Sequence, residues 1–253
     1  MKTNFFSALA IKFHLICAAG LAVLFGVIVA PPRAHAIVIS QVYGGGGNAI
    51  GSPFTNDFIE LFNNGTTSQS LTGWSVQYAS DVGSFSQVTT LSGSVGLGQY
   101  FLIQEHAGAG GFGSPLPPSD VTGNIDLSAT NGKVALVNTT TALSCGITPC
   151  SPSALANVVD LVGYGSTANL FEGAGPAPSP SNTTAVIRAA GGYAETNDNA
   201  FDFTAGSPNP RNSASPLNPL PQVPLPGAFP LFGTGLGALG LLGWRRKRKI
   251  RAA

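Results

Sequence analysis

Short apolar runs with a period of two residues dominate the centre of this chain, from residue 37 to about residue 210. Apolar and polar side chains that alternate between clusters of Gly, Pro, Asn and Ser are typical of β-strands. The pattern predicts strands at 37–43, 56–62, 73–79, 99–105, 132–138, 157–164 and 184–189, with a weaker one at 199–203. The centre is therefore expected to consist mainly of strands.

The third run shows the clearest alternation. It predicts a core face and a solvent face, formed by Trp74, Val76 and Tyr78 on one side and by Ser75, Gln77 and Ala79 on the other. No segment of ten or more residues in 37–222 keeps a helical apolar stripe free of Gly and Pro, so helices should be minor. Seven or eight short strands with turn signals at 63–65 and 130–132 predict an all-β sandwich with long loops.

The N-terminal 36 residues follow a different pattern. Lys2 and Lys12 precede an uncharged run over 15–30, and the small residues Ala34 and Ala36 flank His35 in an A-x-A cleavage pattern. These features predict a secretory signal peptide over 1–36, with Ile37 as the first mature residue. The alternative is an uncleaved membrane anchor.

The C-terminal end also has an apolar block. Residues 227–244 carry no charge and are followed by a basic cluster made of Arg245, Arg246, Lys247, Arg248, Lys249 and Arg251. A span of this length just crosses a bilayer, and the basic cluster would keep the end cytoplasmic. The central domain is then expected outside the inner membrane. The five prolines of 206–222 predict an extended stalk, with 214–222 as a linker.

Charge separates the centre from the two ends. Only 9% of the residues are charged, and all eleven acidic residues lie in 37–222 together with just three basic ones, Lys133, Arg188 and Arg211. The segment thus has a formal charge of −8. This argues against a nucleic-acid partner, because phosphate neutralisation needs clustered Lys and Arg.

The tetrapeptide Val223, Pro224, Leu225 and Pro226, the apolar block and the basic cluster occur in fixed order over 223–251. Together they resemble the PEP-CTERM sorting signal in a VPLP form, with Leu225 where Glu is usual. The resemblance implies a Gram-negative envelope protein that the Sec machinery exports and an exosortase then cleaves near this motif. It also implies release to the cell surface or an exopolysaccharide matrix. A permanent anchor is the alternative.

An ordered set of central segments resembles a bacterial lamin-tail domain. The segments are 39–48, 56–63, 71–78, 98–103, 132–137, 160–165 and 207–212. The resemblance spans nearly all of 37–213 and implies an immunoglobulin-like sandwich without known catalysis of its own. In bacteria such domains commonly accompany extracellular nucleases and phosphatases, and no such companion domain fits in this chain.

The residues offer little for catalysis. His106 is the single histidine of the mature segment, and neither a G-x-S-x-G elbow nor a set of spaced metal ligands accompanies it. A triad around His106 stays open, but a surface histidine at a loop edge is favoured. No catalytic residue, metal or cofactor is predicted.

A glycine run, two acidic residues of the second predicted strand and a pair of cysteines are all expected to have structural roles. The run Gly44–Gly47 lacks the Lys and Ser/Thr of a phosphate-binding loop and is expected to form a mobile loop. Asp57 and Glu60 should project to different faces of their strand, with Glu60 partly buried and bound to loop amides rather than to calcium. Cys145 and Cys150 are expected to form a local disulfide, since exported compartments are oxidising.

We therefore expect an exported, non-enzymatic binding or structural domain that is transiently anchored in the inner membrane and then reaches the surface or matrix. Its partner would be a polysaccharide, another surface protein or itself. The alternative is an extracellular hydrolase of the nuclease or phosphoesterase class, or an accessory targeting module for such an enzyme.

Overall fold

The structure is a computed structural model and describes residues 37–219. The predicted signal peptide over 1–36 and the predicted sorting signal over 223–251 lie outside the described residues. The strands are β1 Ile37–Tyr43, β2 Asn56–Asn63, β3 Gln69–Ser70, β4 Ser75–Ala79, β5 Gln87–Thr90, β6 Ser94–Val95, β7 Tyr100–Ala107, β8 Val121–Thr122, β9 Gly132–Val137, β10 Val158–Tyr164, β11 Ala185–Arg188 and β12 Phe203–Gly206. Two four-residue helices, α1 Pro152–Leu155 and α2 Asn199–Asp202, and a 3-10 turn at Ala190–Gly192 complete the elements.

The strands form two facing sheets. The larger has the order β12-β11-β1-β2-β7-β8 and the smaller β10-β9-β4-β5, while β3 and β6 form a separate pair. Neighbouring strands are antiparallel, apart from the parallel pair β7 and β8. The predicted all-β sandwich with minor helices is confirmed, and the architecture is consistent with an immunoglobulin-like sandwich.

The main core lies between the two sheets. Its inward side chains come from both sheets and include Ile39, Ile59, Leu61, Phe101 and Ile103 from the larger one and Val76, Tyr78, Val134, Leu136 and Val162 from the smaller one. The seven stronger predicted strands all form, within two residues of the expected ends. The alternation of apolar residues thus located the interior correctly, because burial on one face dictates a period of two.

A β-bulge in β1 directs two consecutive polar residues to the outer face of the larger sheet. Ile39 pairs with Leu61 and Gln41 with Glu60, so that Ser40 is the extra residue. Ser40 Oγ donates to Glu60 Oε1 at 2.5 Å, and Gln41 Nε2 donates to both oxygens of the same carboxylate at 3.1 Å. The bulge therefore builds a polar pocket around Glu60, next to the apolar side chains of Phe58 and Phe62 on the same strand.

The prediction of a solvent face on β4 is wrong. Ser75, Gln77 and Ala79 are all buried, because the segment that follows β9 folds back over the outer face of the smaller sheet. A second apolar cluster forms there, with Phe85 and Leu143 among its members. The smaller sheet is consequently covered on both faces.

The stalk interpretation of 206–222 is wrong for the described part, 206–219. Asn209 exchanges hydrogen bonds with the side chain of Gln41, and Ser213 donates to Asp120 through both its backbone N–H and its hydroxyl. Asn218 N donates to Gly98 O at 2.8 Å. We call residues 207–218 the C-terminal strap, since they cross the outer face of the larger sheet and are held at these points.

The weaker strand predicted at 199–203 is also wrong. Residues 199–202 form α2, and the last strand begins at Phe203. Asp198 caps this helix by accepting a hydrogen bond from Ala200 N at 3.1 Å. The short helix turns the chain back toward β11, so that β12 becomes an edge of the larger sheet.

Candidate functional site

An open groove lies on the outer face of the smaller sheet, and we call it the outer groove. One wall is formed by residues 139–144 and the other by residues 151–157, which include α1. Its volume is about 360 Å³. The polar lining consists of five hydroxyls and one carboxamide, from Thr139, Thr141, Ser144, Ser151, Ser153 and Asn157, and the apolar part includes Leu143 and Ala154. Every lining residue is uncharged.

The first wall is tied to the sheet beneath it by the polar residues of β4. Ser75 Oγ donates to Thr139 O at 2.6 Å, and Gln77 Nε2 donates to Thr141 O at 2.9 Å. Gln77 Oε1 in turn accepts a hydrogen bond from Leu143 N at 2.8 Å. The side chains that were expected to face water therefore hold the backbone of this wall in place.

The second wall is fixed by the predicted disulfide, which is confirmed: Cys145 and Cys150 are bonded, with their Cα atoms 4.9 Å apart. Ser151 follows directly and caps α1, since its Oγ accepts a hydrogen bond from Ala154 N at 3.2 Å. Cys145 and Leu143 are buried in the second apolar cluster. The disulfide thus anchors both the groove and the layer that covers the sheet.

Lys133, on β9, supports the disulfide loop from inside. The residue is buried, and its ammonium group donates to Gly83 O at 2.8 Å, Gly146 O at 3.0 Å and Asn169 Oδ1 at 2.6 Å. An ammonium has three donors, so all of them are used. Burial lowers the pKa of Lys133, while the charge of Asp81 opposes this effect. Sequence reasoning gave this lysine no role, although a cation at the start of an apolar strand was a signal for one.

Arg188, on β11, forms a buried ion cluster with acidic residues that include Asp160 on β10. Its Nη2 donates to Asp160 Oδ2 at 2.8 Å and its Nη1 to Glu195 Oε2 at 2.5 Å, while Asp202 Oδ2 lies 3.6 Å from Nη1. Burial, together with repulsion from Asp160, raises the pKa of Glu172 to about 8. Since the single cation is surrounded by internal acceptors, we interpret the cluster as a structural clamp.

The glycine run is not a mobile loop, which corrects the prediction for Gly44–Gly47. All four glycines are buried, and a Cβ on Gly46 would lie 2.0 Å from the carbonyl carbon of Asn56. Asp57 Oδ1 accepts a hydrogen bond from Gly46 N and Oδ2 accepts one from Leu127 N, both at 2.9 Å. Burial raises the pKa of Asp57 to about 8. The run packs against neighbouring backbone segments and closes one end of the sandwich.

Glu105 lies beside this closure and points inward from β7. Its Oε2 accepts hydrogen bonds from Ile125 N at 2.8 Å and Thr89 Oγ1 at 3.0 Å, whereas Oε1 has no partner within the described residues. Burial raises the pKa of Glu105 to about 7. Two buried carboxyls, Asp57 and Glu105, therefore hold the backbone of the segment 125–127 from neighbouring strands of the larger sheet.

Glu60 accepts a hydrogen bond from the loop amide Arg211 N at 2.7 Å, as predicted, but it is fully rather than partly buried. Asp57 points to the opposite face, as expected from strand parity. His106 lies near the end of β7 with a side chain that is 40% exposed, and its Nδ1 is 3.9 Å from Asp126 Oδ1. This matches a surface histidine at a loop edge.

Between residues 37 and 219, no three His, Cys, Asp or Glu side chains are grouped in a way that could hold a metal ion. In the same range, no helix has the length and apolar character needed to cross a bilayer. The predicted sites at Ala34 and Ala36, at 223–226 and at 245–251 lie outside this range, whereas Ile37 is the first residue of β1.

Comparison with known proteins identifies the domain. A family model described as Lamin Tail Domain matches residues 30–166, more than half of the chain. A comparison with curated proteins gives no match. The matched range holds β1 to β10, and β11, β12 and the C-terminal strap follow it. The chain belongs to the lamin tail domain family.

Proposed function

We propose that this chain is an exported surface or matrix protein whose lamin tail domain is a non-enzymatic binding module. In this proposal the Sec machinery exports the chain, residues 223–251 hold it in the inner membrane, and an exosortase cleaves it near Pro226. The observation that carries the proposal is the disulfide between Cys145 and Cys150. Stable disulfides belong to oxidising compartments, and this one anchors the layer that contains the outer groove.

The charges of the domain support a binding role without a nucleic-acid partner. Its three cations are all bound internally: Lys133 to three acceptors, Arg188 to buried carboxylates and Arg211 to Glu60. A nucleic-acid surface needs Lys and Arg side chains that can reach phosphates. Within the described residues, no basic side chain remains for that purpose.

Mass spectrometry of the protein recovered from the cell surface tests the proposal. We expect an N-terminus at Ile37, a C-terminus near Pro226 and the mass of one intact disulfide. The variant Pro224→Ala/Pro226→Ala should retain the complete C-terminus through Ala253, because the sorting motif is changed. The matched control Pro219→Ala/Pro221→Ala changes two prolines just before the motif and should be processed normally.

An intact C-terminus on the parent surface protein would overturn the proposed processing. Metal-stimulated cleavage of DNA or a phosphoester by the purified chain, lost in His106→Ala, would overturn the non-enzymatic role. That result would favour the extracellular hydrolase instead.

A further inference from the structure

We propose that the outer groove binds a neutral glycan. The proposal names the ligand class of the binding module and therefore rests on the proposed binding function. It does not depend on how the chain is exported or cleaved. In the groove, uncharged hydrogen-bonding side chains converge around a cavity of about 360 Å³, a size within the usual range of small-ligand sites.

The charges exclude the main competing ligand class. The segment 37–222 has a formal charge of −8, and each of its three cations is bound internally. A polyanion such as an acidic polysaccharide would meet long-range repulsion and find no cation to pair with. The groove contributes no charge of its own. Its ligand must therefore be recognised through neutral hydrogen bonds and apolar contact.

The lining matches the surface of a sugar. The hydroxyls of Thr141 and Ser144 are exposed and make no hydrogen bond within the described residues, so both can donate and accept. Asn157 adds a carboxamide from the opposite wall. Ala142, which is exposed, and Ala154, which is half-buried, provide apolar surface for the C–H groups of a pyranose ring. A glycan presents this same combination of hydroxyls and C–H faces.

The groove is also held in shape before any ligand arrives. Ser75 and Gln77 fix the first wall, and the disulfide and the cap of α1 fix the second. A preformed site loses little conformational freedom on binding, so more of the interaction energy appears as affinity. This rigidity allows a small number of neutral hydrogen bonds to bind a repeating polymer.

Affinity electrophoresis of the full chain in non-ionic detergent tests the proposal. The native gels contain one of three polymers: a neutral galactomannan, a neutral β-glucan or the polyanion alginate. We expect retardation by at least one neutral polymer, unchanged between low and high salt, and none by alginate. The variant Thr141→Val/Ser144→Ala should bind about tenfold more weakly, because it removes two hydrogen-bonding groups from the groove.

Two further variants complete the test. Thr140→Val removes an exposed hydroxyl of the same loop that does not line the groove, and it should bind like the parent chain. Ser153→Lys places a long charged side chain in the groove and should abolish retardation. All variants should unfold at the same denaturant concentration as the parent, since the changed side chains are exposed. The proposal would be overturned if neither neutral polymer retarded the chain, or if Thr141→Val/Ser144→Ala bound as tightly as the parent chain. The proposed export is tested separately, by the mass of the protein recovered from the cell surface.

Discussion

Arg211 donates both its backbone N–H and its guanidinium group to the carboxylate of Glu60, which lies 151 positions earlier in the chain. Arg211 N lies 2.7 Å from Glu60 Oε2, and Arg211 Nη2 lies 2.7 Å from Glu60 Oε1. The guanidinium carbon lies 3.6 Å from the centre of the Tyr100 ring. This relationship closes the C-terminal strap onto the outer face of the larger sheet. Residues 207–218, which composition marked as part of a stalk, thereby belong to the folded domain.

We predict that Arg211→Met destabilises the domain by about 2–3 kcal/mol, because it leaves a buried carboxylate without its cation. The value is at the low end for a buried pair, since the Arg211 side chain is 22% exposed. Chemical denaturation measures the change. Glu60→Gln/Arg211→Met should be less destabilised than the sum of the two single variants, and an additive result would show that the two groups do not interact.

Gly46→Ala should destabilise the domain by more than about 3 kcal/mol or prevent folding, since the new Cβ would collide with the backbone at Asn56 and Asp57 rather than with a movable side chain. Gly73→Ala is the matched control. Its φ is +85° with nothing within 4 Å of the new Cβ, so it should cost only about 1–2 kcal/mol from backbone strain. Thermal unfolding compares the two, and equal losses would contradict the packing explanation.

The buried carboxyls predict that the domain becomes more stable as the pH falls from 8 to 5. Burial raises the folded-state pKa of Asp57 to about 8 and that of Glu105 to about 7. The folded form then binds more protons than the unfolded chain between about pH 4 and pH 8, so stability falls as pH rises through this window. Thermal midpoints should be higher at pH 5 than at pH 8 by at least about 5 °C.

Asp57→Asn and Glu105→Gln identify the groups responsible for this dependence. Each should flatten the pH profile, because an amide does not titrate in this range. Asp126→Asn is the control, since that residue lies between the two amides that Glu105 and Asp57 bind but its side chain is 75% exposed, and it should leave most of the profile unchanged. Glu172, whose pKa is also raised to about 8 by burial, should leave a smaller slope in the double variant Asp57→Asn/Glu105→Gln, and a profile that keeps its full slope there would refute the assignment.

Lys133→Met should lower the free energy of unfolding by about 2–4 kcal/mol, because it removes the buried ammonium that donates to three acceptors, of which Gly146 O is itself buried. Amide hydrogen exchange should quicken in the segment 143–150, which loses its support at Gly146, and remain slow in β1 and β2. Asn169→Ala removes only one of the three acceptors and should have a smaller effect. Uniform acceleration across all strands would contradict a local role for the lysine.

The strands of the main core were predictable because their inner faces are apolar and their outer faces are interrupted by polar residues. Val76 and Tyr78 illustrate this, as they lie in the core as expected. The alternation could not reveal what covers the other face of the same strand. Ser75 and Gln77 look like solvent-facing residues in the sequence, and only the folded segment 139–143 makes them buried anchors.

The polar sites were harder to predict because their partners are far apart in the chain. The disulfide of Cys145 and Cys150 could be predicted from the sequence, since the two cysteines lie only five positions apart. The outer groove was not, because hydroxyl residues in a loop have no spacing that indicates convergence. The packing of Gly46 could not be predicted either, since a glycine run is found both in flexible loops and where two backbone segments are in close contact.

The topology of β1 has a consequence for how the domain forms. This strand contains the first described residues, yet it lies between β2 and β11, and its partner Val186 follows Val42 by more than half of the chain. A ribosome therefore completes residues 37–184 before the second neighbour of β1 exists. Such distant pairing is intrinsically slow. While the chain emerges, β1 has only β2 as a neighbour, so the larger sheet can be completed only after β11 and β12 have emerged.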